Sequence, residues 1–258
     1  LAVNGAVGSQ NITVVANDSA KTIATNVNQQ TANTGVTATA STQAELKFAA
    51  AGAYSLTLQS DNSTAQTLSF AITATTGSDG LAAAISAIND QTSKTGVIAT
   101  LNSAATGIVL TNSSGSDIAV GDTGVAGADA GNVTLQKLYT NTSGSVTTAG
   151  TVRTLTGGTN ATVDVVNVSG YITLDSSKSF SATATTTNAF ASQNSTLKTV
   201  SNLDVSSVTN ATDALKTVDS ALAFINGERA KLGALQSRFD SAISNLQVSS
   251  ENLSASRS

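Results

Sequence analysis

Leu215-Lys216-Thr217-Val218-Asp219-Ser220-Ala221-Leu222-Ala223-Phe224-Ile225 sets a period that persists almost to the end of the chain. Read in alternating steps of three and four, it selects Leu215, Val218, Leu222, Ile225, Arg229, Leu232, Gln236, Phe239, Ile243, Leu246, Ser250 and Leu253. This is a heptad stripe. Its d positions (Val218, Ile225, Leu232, Phe239, Leu246, Leu253) are all apolar, while Arg229, Gln236 and Ser250 interrupt the a positions. The spacing predicts a helix over 210–258, with Asn210 as N-cap and Asp213 answering it in a capping box. About 45 such residues at about 1.5 Å each extend roughly 65 Å, too far for one small domain to cover. Val218, Leu222, Ile225, Leu232, Phe239, Ile243, Leu246 and Leu253 are therefore expected to pack on other helices. Gly227 and Gly233 each cost around 1 kcal/mol against Ala, which points to close packing or a local bend.

Outward from this helix, the 258-residue chain is long enough for two compact units. It is 40% hydrophobic but 3% aromatic and 11% charged, so its core is built from Ala, Val, Leu and Ile and its surface from Ser, Thr, Asn, Gln and Gly. Regular Val/Ile/Leu spacing argues against disorder. A net charge of −4 removes the basic footprint that nucleic-acid binding needs. No apolar run approaches a bilayer span and Leu1–Gly8 is not a signal peptide. The chain begins without Met, which reads as a piece of a longer protein. It has no Cys and no Pro, so it forms neither disulfide nor thiolate and avoids slow X-Pro isomerisation, which suits export unfolded.

A word recurs in the first half. Val27-Asn28-Gln29-Gln30-Thr31 leads to Thr34-Gly35-Val36-Thr37-Ala38-Thr39, and Ile88-Asn89-Asp90-Gln91-Thr92 leads to Thr95-Gly96-Val97-Ile98-Ala99-Thr100 at the same spacing. Helical patterns precede both copies, with Asp18 or Ser19 capping Ala20, Ile23, Ala24 and Val27, and Ser78 or Asp79 capping Leu81, Ala84, Ile85 and Ile88. Gly35 and Gly96 are expected to end the helices, and alternation then predicts strands. Further strands are expected at Asn11–Val15, Thr67–Ile72, Val163–Val168, Tyr171–Leu174 and elsewhere over about 133–184, with hairpin turns at Gln59–Asn62 and Asn112–Gly115 whose Asn, Asp and Gly tolerate positive φ. The fold class is α+β: a β-rich region 1–190 with strand-helix-strand units at about 1–60 and 61–125, a linker 191–209, and the helix 210–258.

Chemistry finds little support. There is no His or Cys, so base, nucleophile and metal roles would fall to scattered carboxylates. Gly121–Gly124 and Gly127–Gly131 lack the carboxylate density of a calcium loop and read as turns. Thr156-Gly157-Gly158-Thr159 lacks the Lys of a phosphate loop. The Asn-X-Ser/Thr triplets at Asn62, Asn112 and Asn160 are expected by chance in so Asn-, Ser- and Thr-rich a chain. No catalytic, metal or cofactor residue is assigned, and no enzyme activity is expected.

Ile88-Asn89-Asp90-Gln91-Thr92, and more loosely Val27–Thr31, resembles the IN motif of the outer domains of flagellins and hook-associated proteins. The bland reading of its Asn is a side chain bonding backbone near a helix end. The resemblance closes at Asp213–Leu222, Glu228–Ile243 and Glu251–Ser258, which look like the C-terminal core helix of bacterial flagellin, while Ser201–Ser206 resembles the linker leading into it. The family's N-terminal helices and final segment have no counterpart here, so this fragment is expected to be monomeric. The resemblance implies a secreted structural subunit of the extracellular flagellar filament, serving motility by self-assembly with other flagellin subunits, with no membrane or nucleic-acid partner. It also implies recognition by a Toll-like receptor through Leu235, Arg238 and Phe239, of which Arg238 is the better candidate because Phe239 occupies a d position. O-glycosylation is known for the family. The alternative reading is a hook-associated or cap protein, or a glycan-binding adhesin.

Overall fold

The computed structural model describes residues 1–141, 144–157, 163–184, 192–206 and 208–257. They form two compact units, Leu1–Ser195 and Thr196–Ser258. Gly158, Thr159 and Asn160, part of the phosphate-loop and triplet readings, lie outside the described residues.

The first unit contains strands β1 (Ala2–Asn4), β2 (Ser9–Asn11), β3 (Thr37–Phe48), β4 (Gly52–Gln59), β5 (Gln66–Ile72), β6 (Val97–Leu101) and β7 (Ile108–Asn112). They are followed by β8 (Ile118–Asp122), β9 (Val133–Thr140), β10 (Val146–Leu155), β11 (Val165–Val168), β12 (Tyr171–Asp175), β13 (Ser181–Thr183) and β14 (Gln193–Asn194). Helices α1 (Ala20–Gln29) and α3 (Ser78–Asn89) are each followed by a single helical turn, α2 (Thr31–Thr34) and α4 (Thr92–Thr95).

Every strand pairing is antiparallel. One sheet runs β14-β13-β1-β2, a second β11-β8-β4-β5, and the largest β10-β9-β3-β7-β6 with β12 also on β3. The 12 residues of β3 serve two neighbourhoods. Thr37–Ser41 pair with β12, whereas Thr42–Phe48 pair with β7 and β9. Two cores follow. The smaller gathers Val3, Ile12, Ala24, Val27, Val36 and Ala38 under α1. The larger gathers Leu46, Tyr54, Leu56, Leu81, Ile88, Ile108 and Leu135, with α3 against β5 and β6. Three of the few aromatics meet there, with Phe48 4.8 Å from Tyr54 and 5.8 Å from Phe70 between ring centroids. Burial raises the pKa of Tyr54, whose hydroxyl donates to Ala50 O at 2.7 Å.

The recurring word builds the same geometry twice. Asn28 Oδ1 accepts from Ala38 N (2.7 Å) and its Nδ2 donates to Ala38 O (2.9 Å); Asn89 does the same to Ala99 (2.7 and 3.0 Å). Thr31 Oγ1 donates to Val36 O at 2.9 Å and Thr92 Oγ1 to Val97 O at 2.7 Å. Thr34 and Thr95, both buried, donate to Gln30 O and Gln91 O, each at 3.0 Å. The Asn thus clips the first residues of a new strand to the helix before it, satisfying backbone groups that have no ladder partner at that point.

Several local expectations are corrected. The long helices stop at Gln29 and Asn89; Gly35 (φ 72°) and Gly96 (φ 69°) instead close the short turns that follow, each donating N–H to the Thr four residues back. Ser19 caps α1 through a 3.3 Å bond from Thr22 N, but the N-cap of α3 is Gly77, with Ser78 and Asp79 already helical. Asn11–Val15 is not a strand beyond Asn11, because Asp18 Oδ2 takes Val15 N at 2.7 Å and folds the segment into a turn. Asn112–Gly115 is no hairpin: it carries the chain from β7 in one sheet to β8 in another. In the β4–β5 turn no residue takes positive φ, and Asn62 Oδ1 accepts from Ser60 N at 2.9 Å instead. In the Gly121–Gly124 and Gly127–Gly131 segments, read as turns rather than calcium loops, the Asp residues serve the backbone, with Asp122 Oδ1 accepting from Gly124 N and Asp164 N (both 3.0 Å) and Asp129 Oδ1 from Ser55 N (2.8 Å).

Asp61 joins these pieces. Its carboxylate accepts from Ser116 Oγ (2.7 Å), Ser114 Oγ (2.8 Å), Lys21 Nζ and Asn112 Nδ2 (both 3.1 Å), and its N–H donates to Thr95 O (3.0 Å). One residue therefore links α1 and the β7–β8 loop through its carboxylate and the turn of α4 through its backbone N–H. Burial alone would raise its pKa, but the donors outweigh burial and hold it at about 2.

Candidate assembly surface

The second unit is one helix with a short approach. A 3₁₀ turn at Val200–Asn202 precedes α5, which runs Val208–Arg257, 50 residues, or roughly 75 Å. It starts two residues before the predicted N-cap. Ser206-Ser207-Val208-Thr209-Asn210 holds several residues able to cap, so pattern alone cannot choose among them. Asn210 is inside the helix and its Nδ2 donates to Asp204 Oδ2 at 2.7 Å, while Asp204 Oδ1 accepts from Ser206 N at 2.8 Å. Hydrogen bonds from the Ser206 side chain and backbone lower the pKa of Asp204. Asp213, expected in a capping box, pairs with Lys198 (3.4 Å) and Lys216 (3.9 Å).

The heptad positions are largely uncovered along the helix. Val218 is half-buried; the rest of the predicted packing set is exposed, from 52% for Leu222 and Ile225 through Leu232, Phe239, Ile243 and Leu253 to 69% for Leu246. Covering a large apolar side chain of this kind stabilises by about 1.5–3 kcal/mol, and a chain of such residues along one helix face marks an interaction surface. The polar faces are quiet: Thr217 and Ser241 hydroxyls bond Asp213 O and Ser237 O, each at 2.9 Å, and Glu228 pairs with Lys231 at 2.8 Å.

Leu235, Arg238 and Phe239 are all exposed and lie at helical spacings of three and four, so one patch contains them. Phe224 and Val248 are also exposed; they fall off the a/d series, and only helix-wide counting of apolar residues would single them out. A Cβ added at Gly227 or Gly233 would meet nothing within 4 Å.

Comparison with known proteins matches these two features. The family described as bacterial flagellin C-terminal helical region matches residues 215–258, and the flagellin hook IN motif matches residues 1–52, which include the Asn28 clip. B-type flagellin of Pseudomonas aeruginosa is 33% identical over 180 residues, covering 66% of this chain and 34% of that protein. Flagellin D of Vibrio cholerae is 47% identical over 66 residues (26% of this chain, 18% of that protein), and flagellin E of the same species 51% identical over 59 (23% and 16%). The chain spans about a third or less of the length of these relatives. With its helical region and its IN motif both matched, the chain belongs to the bacterial flagellin family.

Proposed function

We propose that the protein is a structural subunit of the extracellular flagellar filament and works by helical self-assembly. The observation that carries this reading is the exposed apolar band of α5, Leu222 to Leu253, which needs other helices to cover it. Helices of the filament core, from the N-terminal segment of the intact subunit and from neighbouring subunits, cover it in the filament, and the β-rich unit faces solvent. Arg229, Gln236 and Ser250 interrupt the a positions, which lowers the stability of any self-paired form and sets its register. The IN-motif reading extends to the second copy of the recurring word, around Asn89, whose hydrogen bonds duplicate those of Asn28. The test is seeded growth of the intact protein. Leu232→Asp and Leu246→Asp should abolish elongation under electron microscopy with helix content kept, while Leu232→Met should elongate; growth of both Asp variants at the normal rate would refute the proposal.

Exposure of Leu235, Arg238 and Phe239 also supports a second role, recognition by a Toll-like receptor. Phe239 belongs to both surfaces, so the receptor engages unassembled subunits. Arg238→Ala should weaken receptor binding while filaments still grow; unchanged binding would remove the assignment.

A further inference from the structure

The edge of the largest sheet carries charge where core is expected. In the β9–β10 pair, Ala149 lies opposite Lys137 and Arg153 opposite Leu135. Opposed residues project from the same face, so both cations share the face of Leu135 and, one strand further, Leu46, each 1% exposed. Between them Gly150, Thr151 and Val152 bulge against the single residue Gln136. Gln136 Nε2 closes this bulge by donating to Ala149 O (2.7 Å) and Gly150 O (3.3 Å), with Gly150 at φ 70°. The bulge opens a groove of about 270 Å³ between β10 and the end of β11, lined by Leu135, Lys137, Thr151, Arg153, Asn167 and Ser169.

The two cations of the groove differ. Lys137 Nζ is occupied by Ser169 Oγ (3.1 Å) and Gly170 O (3.0 Å), and Asp117 offsets its charge. Asn167 is in turn hydrogen-bonded to Asp117. Arg153 has no ion-pair or hydrogen-bond partner among the described residues. The groove therefore presents one uncompensated guanidinium, the Thr151 and Ser169 hydroxyls, and a small apolar wall at half-buried Ala149. A guanidinium fork grips a planar oxyanion with two parallel hydrogen bonds. Hydroxyls beside it suit ring hydroxyls, and the Ala149 wall suits the C–H face of a sugar.

We propose that this groove binds an acidic saccharide, with Arg153 holding its carboxylate and Thr151 and Ser169 its hydroxyls. The test is a ¹H–¹⁵N NMR titration of the 258-residue chain with glucuronate, glucose and inorganic sulfate. Glucuronate should give saturable shifts at the amides of Thr151, Arg153 and Ser169, with glucose and sulfate at least about tenfold weaker. Arg153→Gln should weaken glucuronate at least about tenfold, the scale of a lost charged hydrogen bond, with its spectrum elsewhere unchanged. Absence of saturable shifts, wild-type affinity in Arg153→Gln, or equal affinity for glucose or for sulfate would each overturn the proposal.

Discussion

Asn89 holds both backbone groups of Ala99, accepting its N–H at 2.7 Å and donating to its C=O at 3.0 Å. The two residues are ten apart in sequence, so one side chain fixes where α3 ends and where β6 begins. Asn89→Asp keeps the acceptor, loses the donor and sets a carboxylate against the Ala99 carbonyl. It should cost about 2 kcal/mol, the scale of a stranded polar group, read as a lower urea midpoint. Asn28→Asp should cost a similar amount, because it loses the same donated bond, here to Ala38 O, and keeps the one accepted from Ala38 N.

Asp61 predicts a pH dependence with a definite sign. Its carboxyl titrates at about 2 in the fold against an ordinary 3.8, so its contribution is present above about pH 4 and is lost as pH falls toward 2. With the side chain 29% exposed, the contribution is about 2 kcal/mol. Asp61→Asn should lower stability at pH 7 and flatten the profile between pH 4 and pH 2, measured by denaturant unfolding at each pH.

Glycines in the two units should respond oppositely to alanine. At Gly96, with φ 69°, a Cβ would stand 2.0 Å from Asp61 Oδ2; Gly96→Ala should destabilise by about 2 kcal/mol or more through strain and loss of that carboxylate's position. Gly227→Ala and Gly233→Ala should each favour the helix by about 1 kcal/mol, visible as higher helix content. In the intact protein the same two changes should slow filament growth, read by electron microscopy of seeded filaments, because a methyl at either position obstructs close approach of a neighbouring helix.

Large apolar residues should likewise divide by unit. Leu81 is fully buried, and Leu81→Ala should cost about 3 kcal/mol. Phe239 is 60% exposed, and Phe239→Ala should leave unfolding of this chain within about 0.5 kcal/mol of wild type while impairing elongation of the intact subunit.

The legible part of this fold was whatever a short period could carry. Ala20, Ile23, Ala24 and Val27 repeat at helical spacing, and all four are buried as that spacing requires. Val36 and Val97 follow their glycines into the cores as the alternation predicts. What stayed hidden depended on distant partners. Ile12 to Val15 alternate like a strand, but a strand needs an edge to pair with, and Asp18 captures Val15 first. That Asn112–Gly115 leaves one sheet for another depends on Thr42 and Gln59 recruiting β7 and β8 from opposite sides. The band on α5 was legible because it lies within one helix. The groove at Arg153 was not, since the bulge that opens it appears only when the register of β10 on β9 is known.

The double duty of β3 has a mechanical outcome. Its Thr37–Ser41 half closes the core under α1 and its Thr42–Phe48 half closes the core under α3. Neither core can melt without pulling on a strand that the other needs, so the duplicated word does not yield two autonomous modules. The β-rich unit should melt in a single cooperative step, and a drag force applied at one core should be resisted by both.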